Sequence, residues 1–337
     1  MDVMLRAEQV VTLPGKPRIW SLKFNPTKPL IALTDDNKNL TLMQKSNDNQ
    51  KYTIIAVLDH AHTRSIRACD WCPSGSFIAT AAFDAIVMVW KLQDNDFECI
   101  ASLEGHENEV KCVAWSPSGS HIATCGRDKS VFVWEADDEL YEVAAVMHSH
   151  QQDVKHVAWH PVREDVLAST SYDDTIKVYA SDGDDWRCNS TLLGHTSTVW
   201  CLAFSHDGKG LVTCSDDRSV ILWRDEDSGN GPLAIPRYDR VDTISDLHLR
   251  SIYTVAWEKR EGGLIATGGG DDKICILRAV VRGEDAGLKV VAECSSAHSS
   301  DVNCVDWESS SYSASKGLLA SVGDDGALRL WSVEREV

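Results

Sequence analysis

Residues 105–134, GHENEVKCVAWSPSGSHIATCGRDKSVFVW, are one unit of a sentence that the chain repeats. Short apolar runs rich in Val, Ile, Thr and Trp alternate with turn residues, which is a strand pattern and not a helix pattern. A His opens the unit and recurs as His62, His106, His150, His195, His248 and His298, at spacings of 44, 44, 45, 53 and 50. A bulky residue closes it: Trp90, Trp134, Tyr179, Trp223, Leu277 and Trp331. Six residues before each of these stands an Asp (84, 128, 173, 217, 271, 325), and four before each Asp a hydroxyl: Thr80, Thr124, Ser169, Thr213, Thr267 and Ser321. A period of this length restricts the chain to an array of small β units.

The period and the His…Asp…Trp order resemble WD40 repeats, each a four-stranded blade. The resemblance implies that His, Ser/Thr, Asp and Trp form one hydrogen-bonded chain in each blade. Such bonds contribute roughly 0.5–1.5 kcal/mol each, and an unpaired buried partner costs more. Four tetrads are complete: His62, Thr80, Asp84, Trp90; His106, Thr124, Asp128, Trp134; His195, Thr213, Asp217, Trp223; and His298, Ser321, Asp325, Trp331. A Ser/His/Asp set invites a hydrolase reading, but six copies at fixed spacing are structural. No enzyme is expected.

Residues 18–24, RIWSLKF, align with 198–204, TVWCLAF, and mark a further unit ahead of the six. There Asn37 stands at the Asp position and Met43 at the Trp position, and the Gly-His is missing. This unit should be the least tightly tied. The last unit ends near Trp331 without a fourth strand, and residues 5–13, LRAEQVVTL, can supply it. The expected fold is all-β: a single seven-bladed propeller, its N-terminal strand completing the last blade. The expected blades are 14–58, 62–103, 106–147, 150–193, 195–246, 248–295 and 298–332, plus strand 5–13. Closure leaves no free terminal sheet to aggregate.

Composition narrows the partners. Net charge is −18, with 51 acids against 33 Lys and Arg. Such a chain is a poor general ligand for nucleic acid, whose backbone calls for cations. No apolar run is long enough to span a bilayer, and the N-terminus lacks a signal peptide's apolar core. Eleven cysteines, an odd number, argue for reduced thiols in cytosol or nucleus. Cys69-Asp70-Trp71-Cys72 could suggest a redox or metal pair, but no second pair has zinc spacing. All eleven are read as small buried hydrophobes, and neither metal nor cofactor is expected. Residues 225–246, 278–287 and 308–316 read as loops, and the acidic runs 137–139 and 182–185 as solvated turns.

In WD40 proteins three positions per blade face the channel rim: three and five residues after the His, and the one before the Asp. Carried onto this chain, they give a basic and aromatic half-ring: Arg18, Arg67, Lys111, Arg127 and Lys155, with Trp20, Phe83, Tyr172 and Trp200. The remaining blades contribute acids and neutrals, among them Asp216, Tyr253, Asp301, Asn303 and Asp324. Arg, Trp and Tyr dominate interface energies, which points to protein binding. The alternative is that each base pairs with a neighbouring acid, such as Glu109 or Asp153, and contributes little. The ligand expected is a peptide with carboxylates and an aromatic; an exposed C-terminus would suit an Arg fork.

Several strings look more specific: GHENEVKCVAW at 105–115, DKS at 128–130, QDVKHVAWHP at 152–161, SYDDT at 171–175, DDW at 184–186 and DVNCVDW at 301–307. They resemble the WD40 family of cytosolic iron–sulfur protein assembly. The resemblance implies a non-enzymatic adaptor, a monomeric propeller within a hetero-complex. Its implied partners are a small DUF59-type protein, a large HEAT-repeat targeting subunit and apo iron–sulfur proteins, some recognised by a tail ending in an aromatic. It implies a cytosolic location, with the nucleus as a second, and places the family's sensitive surface Arg on Arg127. The family's Leu-Tyr-Arg/Lys string reads Val178-Tyr179-Ala180 here, without its base. The competing readings are a scaffold in chromatin or a ubiquitin-ligase receptor, and a metal-holding protein using Cys69 and Cys72. No Arg stands two residues beyond the Asp of a Trp-Asp end, as ligase receptors have.

Overall fold

The computed structural model describes residues 3–48, 50–59, 61–93, 96–137, 140–183, 185–226, 235–280, 286–309 and 316–335. They form seven four-stranded antiparallel sheets and no helix. The innermost strands are Ile19–Phe24, Ile66–Trp71, Val110–Trp115, Val154–Trp159, Val199–Phe204, Ile252–Trp257 and Val302–Trp307. Each lies against the next, and the last lies against the first, so the sheets close into a ring around a channel. The fold is a seven-bladed β-propeller.

Closure uses the two ends of the chain. The strand Val3–Thr12 pairs antiparallel with Ala327–Arg335, from Val3 opposite Arg335 to Thr12 opposite Ala327. The closing strand therefore starts earlier than residue 5, and its partner runs past Trp331. A bulge at Glu8 shifts the register between Ala7 and Gln9, which pairs with Leu330; Gln9 also reaches the first blade. Its amide Nε2 donates to the Tyr52 carbonyl at 2.8 Å and its Oε1 accepts the Tyr52 N–H at 2.9 Å. The seventh blade is thereby fastened to the first.

The core lies between blades. Strands such as Leu30–Asp35, Val166–Ser171 and Gly210–Ser215 are buried without interruption, and successive side chains point to opposite faces, so each sheet has two greasy faces and buries one against each neighbour. Val113, Trp115 and Ile122 of the third blade pack with Ala79, Val87 and Val89 of the second, while Cys112, Ala123 and Val133 pack with Val157 and Leu167 of the fourth.

Six of the seven blades carry the polar chain. His Nδ1 lies 2.7–3.1 Å from its Asp in all six, and Nε2 lies 2.7–2.9 Å from the Ser or Thr hydroxyl. The indoles of Trp90, Trp134, Trp223 and Trp331 donate to that same hydroxyl at 2.9–3.0 Å. An indole N–H can only donate, so the hydroxyl proton goes to Nε2 and the imidazole N–H to the carboxylate. In the fourth blade Tyr179 reaches Ser169 at 3.5 Å, and in the sixth the buried Leu277 makes no such bond. The first blade has a substitute: Asp35 accepts Asn39 N–H at 2.9 Å, Asp36 accepts Arg18 N–H at 3.0 Å, and Met43 is fully buried.

Two expectations are corrected. The stretch 225–246 contains the outer strand Tyr238–Ile244 of the fifth blade. Its exposed charges hide it in the sequence, and buried Tyr238 fixes it by donating to the Gly208 carbonyl at 2.6 Å. The cysteines are not uniformly buried: Cys99 and Cys188 are exposed, and Cys294 and Cys304 are half-buried. The outer strands that carry Cys99 and Cys188 present one face to solvent. Residues 227–234, 281–285 and 310–315 of the expected loops, and 138, 139 and 184 of the acidic turns, lie outside the described residues.

Candidate functional site

Each inner strand carries a register shift at one shared position, and in every blade the skipped residue is the fifth after the His or its equivalent. These residues are Trp20, Arg67, Lys111, Lys155, Trp200, Tyr253 and Asn303. A bulged residue is released from ladder pairing and its side chain is re-aimed. Here all seven turn into the channel mouth, where they line a cavity of about 340 Å³ together with Arg18, Phe83, Tyr172, Asp301 and Asp324. Eight of the nine residues expected to bind thus meet in one place.

Arg127, the ninth, stays outside that cavity. Its side chain is 56% exposed and its Nη1 lies 3.8 Å from Glu109. Glu109 is a hub: it accepts Lys111 Nζ at 2.5 Å and Arg64 Nη2 at 2.8 Å. Burial alone would raise the Glu109 carboxyl, but Lys111 and Arg64 hold it below its ordinary value.

The aromatic rings serve as platforms for the cations. Arg18 and Arg67 lie 4.9 and 5.3 Å from the Trp20 ring centre, and Lys111 lies 4.2 Å from that of Phe83. Such contacts gain from desolvation. Trp200 stands edge-on between Tyr172 and Tyr253, at 5.6 and 5.3 Å, and donates its indole N–H to Asp216 at 2.8 Å. That packing gives Trp200 a structural task that the sequence does not reveal.

Lys155 lines the mouth as a buried base beside Asp153, the acid expected to pair with it. Its side chain is 7% exposed, with Nζ 3.7 Å from Asp153 and 5.1 Å from the Trp200 ring centre. The bulge leans the side chain into the mouth and under Tyr172. Burial, then the nearby charges of Lys111 and Arg67, push its amine down to about 7. Two basic residues at the rim escaped the three-position template. Arg64 donates to the Phe83 carbonyl at 2.6 Å, and Arg250 lies 3.9 Å from Asp301. Both stand two residues after the repeat His, a signal the sequence does contain. Arg250 also breaks the expectation that the later blades give the rim only acids and neutrals.

At the other end of the channel, Lys23 lies 3.9 Å from Asp306. The Asp306 carboxylate accepts Phe24 N–H at 3.0 Å, and Asp70 accepts Trp115 N–H at 2.8 Å. These bonds tie the first inner strand to the seventh and the second to the third. Cys69 and Cys72 pack into different interblade cores, which suits neither a disulfide nor a shared ligand. Among the described residues, no three His, Cys, Asp or Glu side chains are placed to hold a metal ion.

Ring closure, six polar chains and a bulge-built channel mouth define a WD-repeat propeller, and the WD domain, G-beta repeat model matches residues 52–91, 97–135, 142–180, 186–224 and 289–332. The chain is 43% identical to the probable cytosolic iron-sulfur protein assembly protein Ciao1 of Culex quinquefasciatus, over 94% of this chain and 95% of that protein. It is 40% identical to the probable cytosolic iron-sulfur protein assembly protein CIAO1 homolog of Schistosoma japonicum, over 99% of this chain and all of that protein. A probable cytosolic Fe-S cluster assembly factor of Schizosaccharomyces pombe is 37% identical over 97% of this chain and 54% of its own length. The chain belongs to the WD-repeat family of cytosolic iron–sulfur protein assembly proteins.

Proposed function

We propose that this protein is a non-enzymatic scaffold of cytosolic iron–sulfur protein assembly. It helps deliver clusters, as cargo, to cytosolic and nuclear apoproteins. Its partners are a DUF59-type protein, a HEAT-repeat targeting subunit and apo iron–sulfur proteins, bound through the face that bears the channel mouth. The observation that carries this reading is the concentration of cations and aromatic rings on one rim of a chain of net charge −18. Kinship along nearly the whole chain supports it.

The test is affinity purification of the wild-type chain and of Arg127→Glu. Exposed Arg127 leaves the fold intact when reversed. The variant is expected to lose most partner recovery and to lower the activity of cytosolic iron–sulfur enzymes. Full maturation in the variant counts against Arg127. Recovery of histones or a cullin adaptor, without a DUF59 partner, counts against the proposal.

A further inference from the structure

We infer that the channel wall carries two redox-modification sites, the cross-strand thiol pairs Cys112–Cys125 and Cys201–Cys214, each of which a peroxide closes to a disulfide. The chemistry is internal to the propeller and independent of the partner-binding face.

The first observation is register. Cys112 stands directly opposite Cys125 in the antiparallel ladder of the third blade, and Cys201 directly opposite Cys214 in that of the fifth. Opposite residues in such a ladder have Cα atoms roughly 4.5–5.5 Å apart and side chains on one face. A disulfide spans Cα atoms about 4.4–6.8 Å apart, so neither pair needs the backbone to rearrange. Both members of each pair pack in the same interblade core. The Cβ atoms must close from roughly 4.5–5.5 Å to about 3.8 Å. The bond is therefore strained and readily reduced again.

The second observation is a division of access. Cys112 and Cys201 line a channel cavity of about 470 Å³, whereas Cys125 and Cys214 are fully buried. One thiol of each pair meets a small oxidant from the channel, and the other waits within reach.

The third is a proton acceptor. The third residue of these inner strands leans onto the next inner strand: Cys112 Sγ lies 3.6 Å from the Val157 carbonyl, Cys201 Sγ 3.5 Å from that of Val255 and Cys304 Sγ 3.7 Å from that of Leu22. His156 holds the same place on the strand between Cys112 and Cys201. Its Nδ1 is buried without a hydrogen-bond partner among the described residues. Burial would lower the imidazole, but the charges of Cys112 and Cys201 raise it above its ordinary value.

The chemistry follows from that placement. His156 takes the proton of the channel-facing thiol, and the thiolate attacks a peroxide oxygen. The S–O bond forms, the O–O bond breaks, and the hydroxide released takes the imidazolium proton and leaves as water. The buried thiol then attacks the sulfenic sulfur. The S–S bond forms, the S–O bond breaks, and a second water carries off the remaining proton. The two sulfurs lose two electrons to the peroxide. Cys304 lines the same cavity but faces Val322, so its oxidation stops at the sulfenic acid.

The test uses the reduced, folded full chain and hydrogen peroxide. Free thiols are then blocked with N-ethylmaleimide, and linked peptides are mapped by mass spectrometry without reduction. Cross-links Cys112–Cys125 and Cys201–Cys214 are expected, both lost on treatment with dithiothreitol, with exposed Cys99 and Cys188 unlinked. Cys125→Ser should remove the first cross-link, leave a sulfenic acid on Cys112 that dimedone traps, and keep the second. Should that variant fail to fold, Cys304 of the wild type serves instead, with a dimedone adduct and no cross-link expected. His156→Gln should slow both cross-links tenfold or more. Absence of a cross-link overturns the inference for that pair. Links to other cysteines, or linkage only in urea, overturn it for both, and an unchanged rate in His156→Gln overturns the role of His156.

Discussion

The ammonium nitrogen of Lys155 lies 3.3 Å from the centre of the Tyr172 ring. A residue that reads as a free base is thus a lid-covered amine, poised near neutrality at about 7. Its ordinary value of 10.5 holds when the chain unfolds. Between those values the unfolded chain binds the extra proton, so the stability of the wild type rises with pH. Lys155→Met removes this dependence. Its stability relative to wild type should be roughly 1–3 kcal/mol greater at pH 6 than at pH 10, allowing for relaxation around the charge. Urea denaturation at both pH values checks this, and equal differences would show that the amine is not depressed.

The polar chain of the third blade gives an acid-side prediction. Burial would raise the Asp128 carboxyl, but hydrogen bonds from His106 and Ser130 bring it to about 2, below the ordinary 3.8. A lowered carboxyl contributes stability above its unfolded value, lost as pH falls from about 3.8 to about 2. Asp128→Asn breaks the pair and should cost roughly 2–4 kcal/mol at pH 7, by the measure of other broken buried pairs. The cost should shrink toward pH 2, where the wild type has lost the same charge.

Thr213 holds two partners at once, accepting from Trp223 Nε1 at 3.0 Å and meeting His195 Nε2 at 2.8 Å. Thr213→Val keeps the shape and leaves both buried groups unpaired. A loss of about 2–4 kcal/mol is expected from two unmet donors or acceptors. Thr34→Val, in the first blade, removes a buried hydroxyl that has no hydrogen-bond partner and should cost less than half of that in the same denaturation series.

The seam between the last blade and the first rests on the Gln9 amide. Gln9→Ala removes both bonds to Tyr52 and should lower stability by about 1–2 kcal/mol. Hydrogen exchange should quicken along Val3–Thr12 before it does in the middle blades. Unchanged protection of that strand would mean that pairing with Ala327–Arg335 alone holds it.

Ala85 closes the tight turn after Asp84 with φ of 71°. Ala85→Gly should raise stability by about 0.5–1 kcal/mol, since glycine meets no Cβ penalty there. A fall in melting temperature would show that flexibility of the unfolded chain outweighs the relief.

The sequence made the propeller legible because its polar chain demands four residue types at fixed spacing; His106, Thr124, Asp128 and Trp134 stand at the expected offsets and touch. The mouth was legible as a list of positions, which gathered Trp20, Arg67 and Trp200 correctly. It was not legible as chemistry. A one-dimensional template does not show that the bulge bends Lys155 under Tyr172, that Glu109 engages three cations, or that Asp216 occupies the Trp200 indole. Nor does it mark Tyr238–Ile244 as a strand, because an outer strand with one wet face carries charge where an inner one carries Val.

Pairing of Val3–Thr12 with Ala327–Arg335 sets an order of events during synthesis. The earlier segment has no sheet to join until the later one has been made. Until then it stays an orphan β edge, and the growing ring stays open beside it. A chaperone that shields this segment would govern the yield of finished rings, and a bulky fusion at the amino end would act on assembly before it touched any partner.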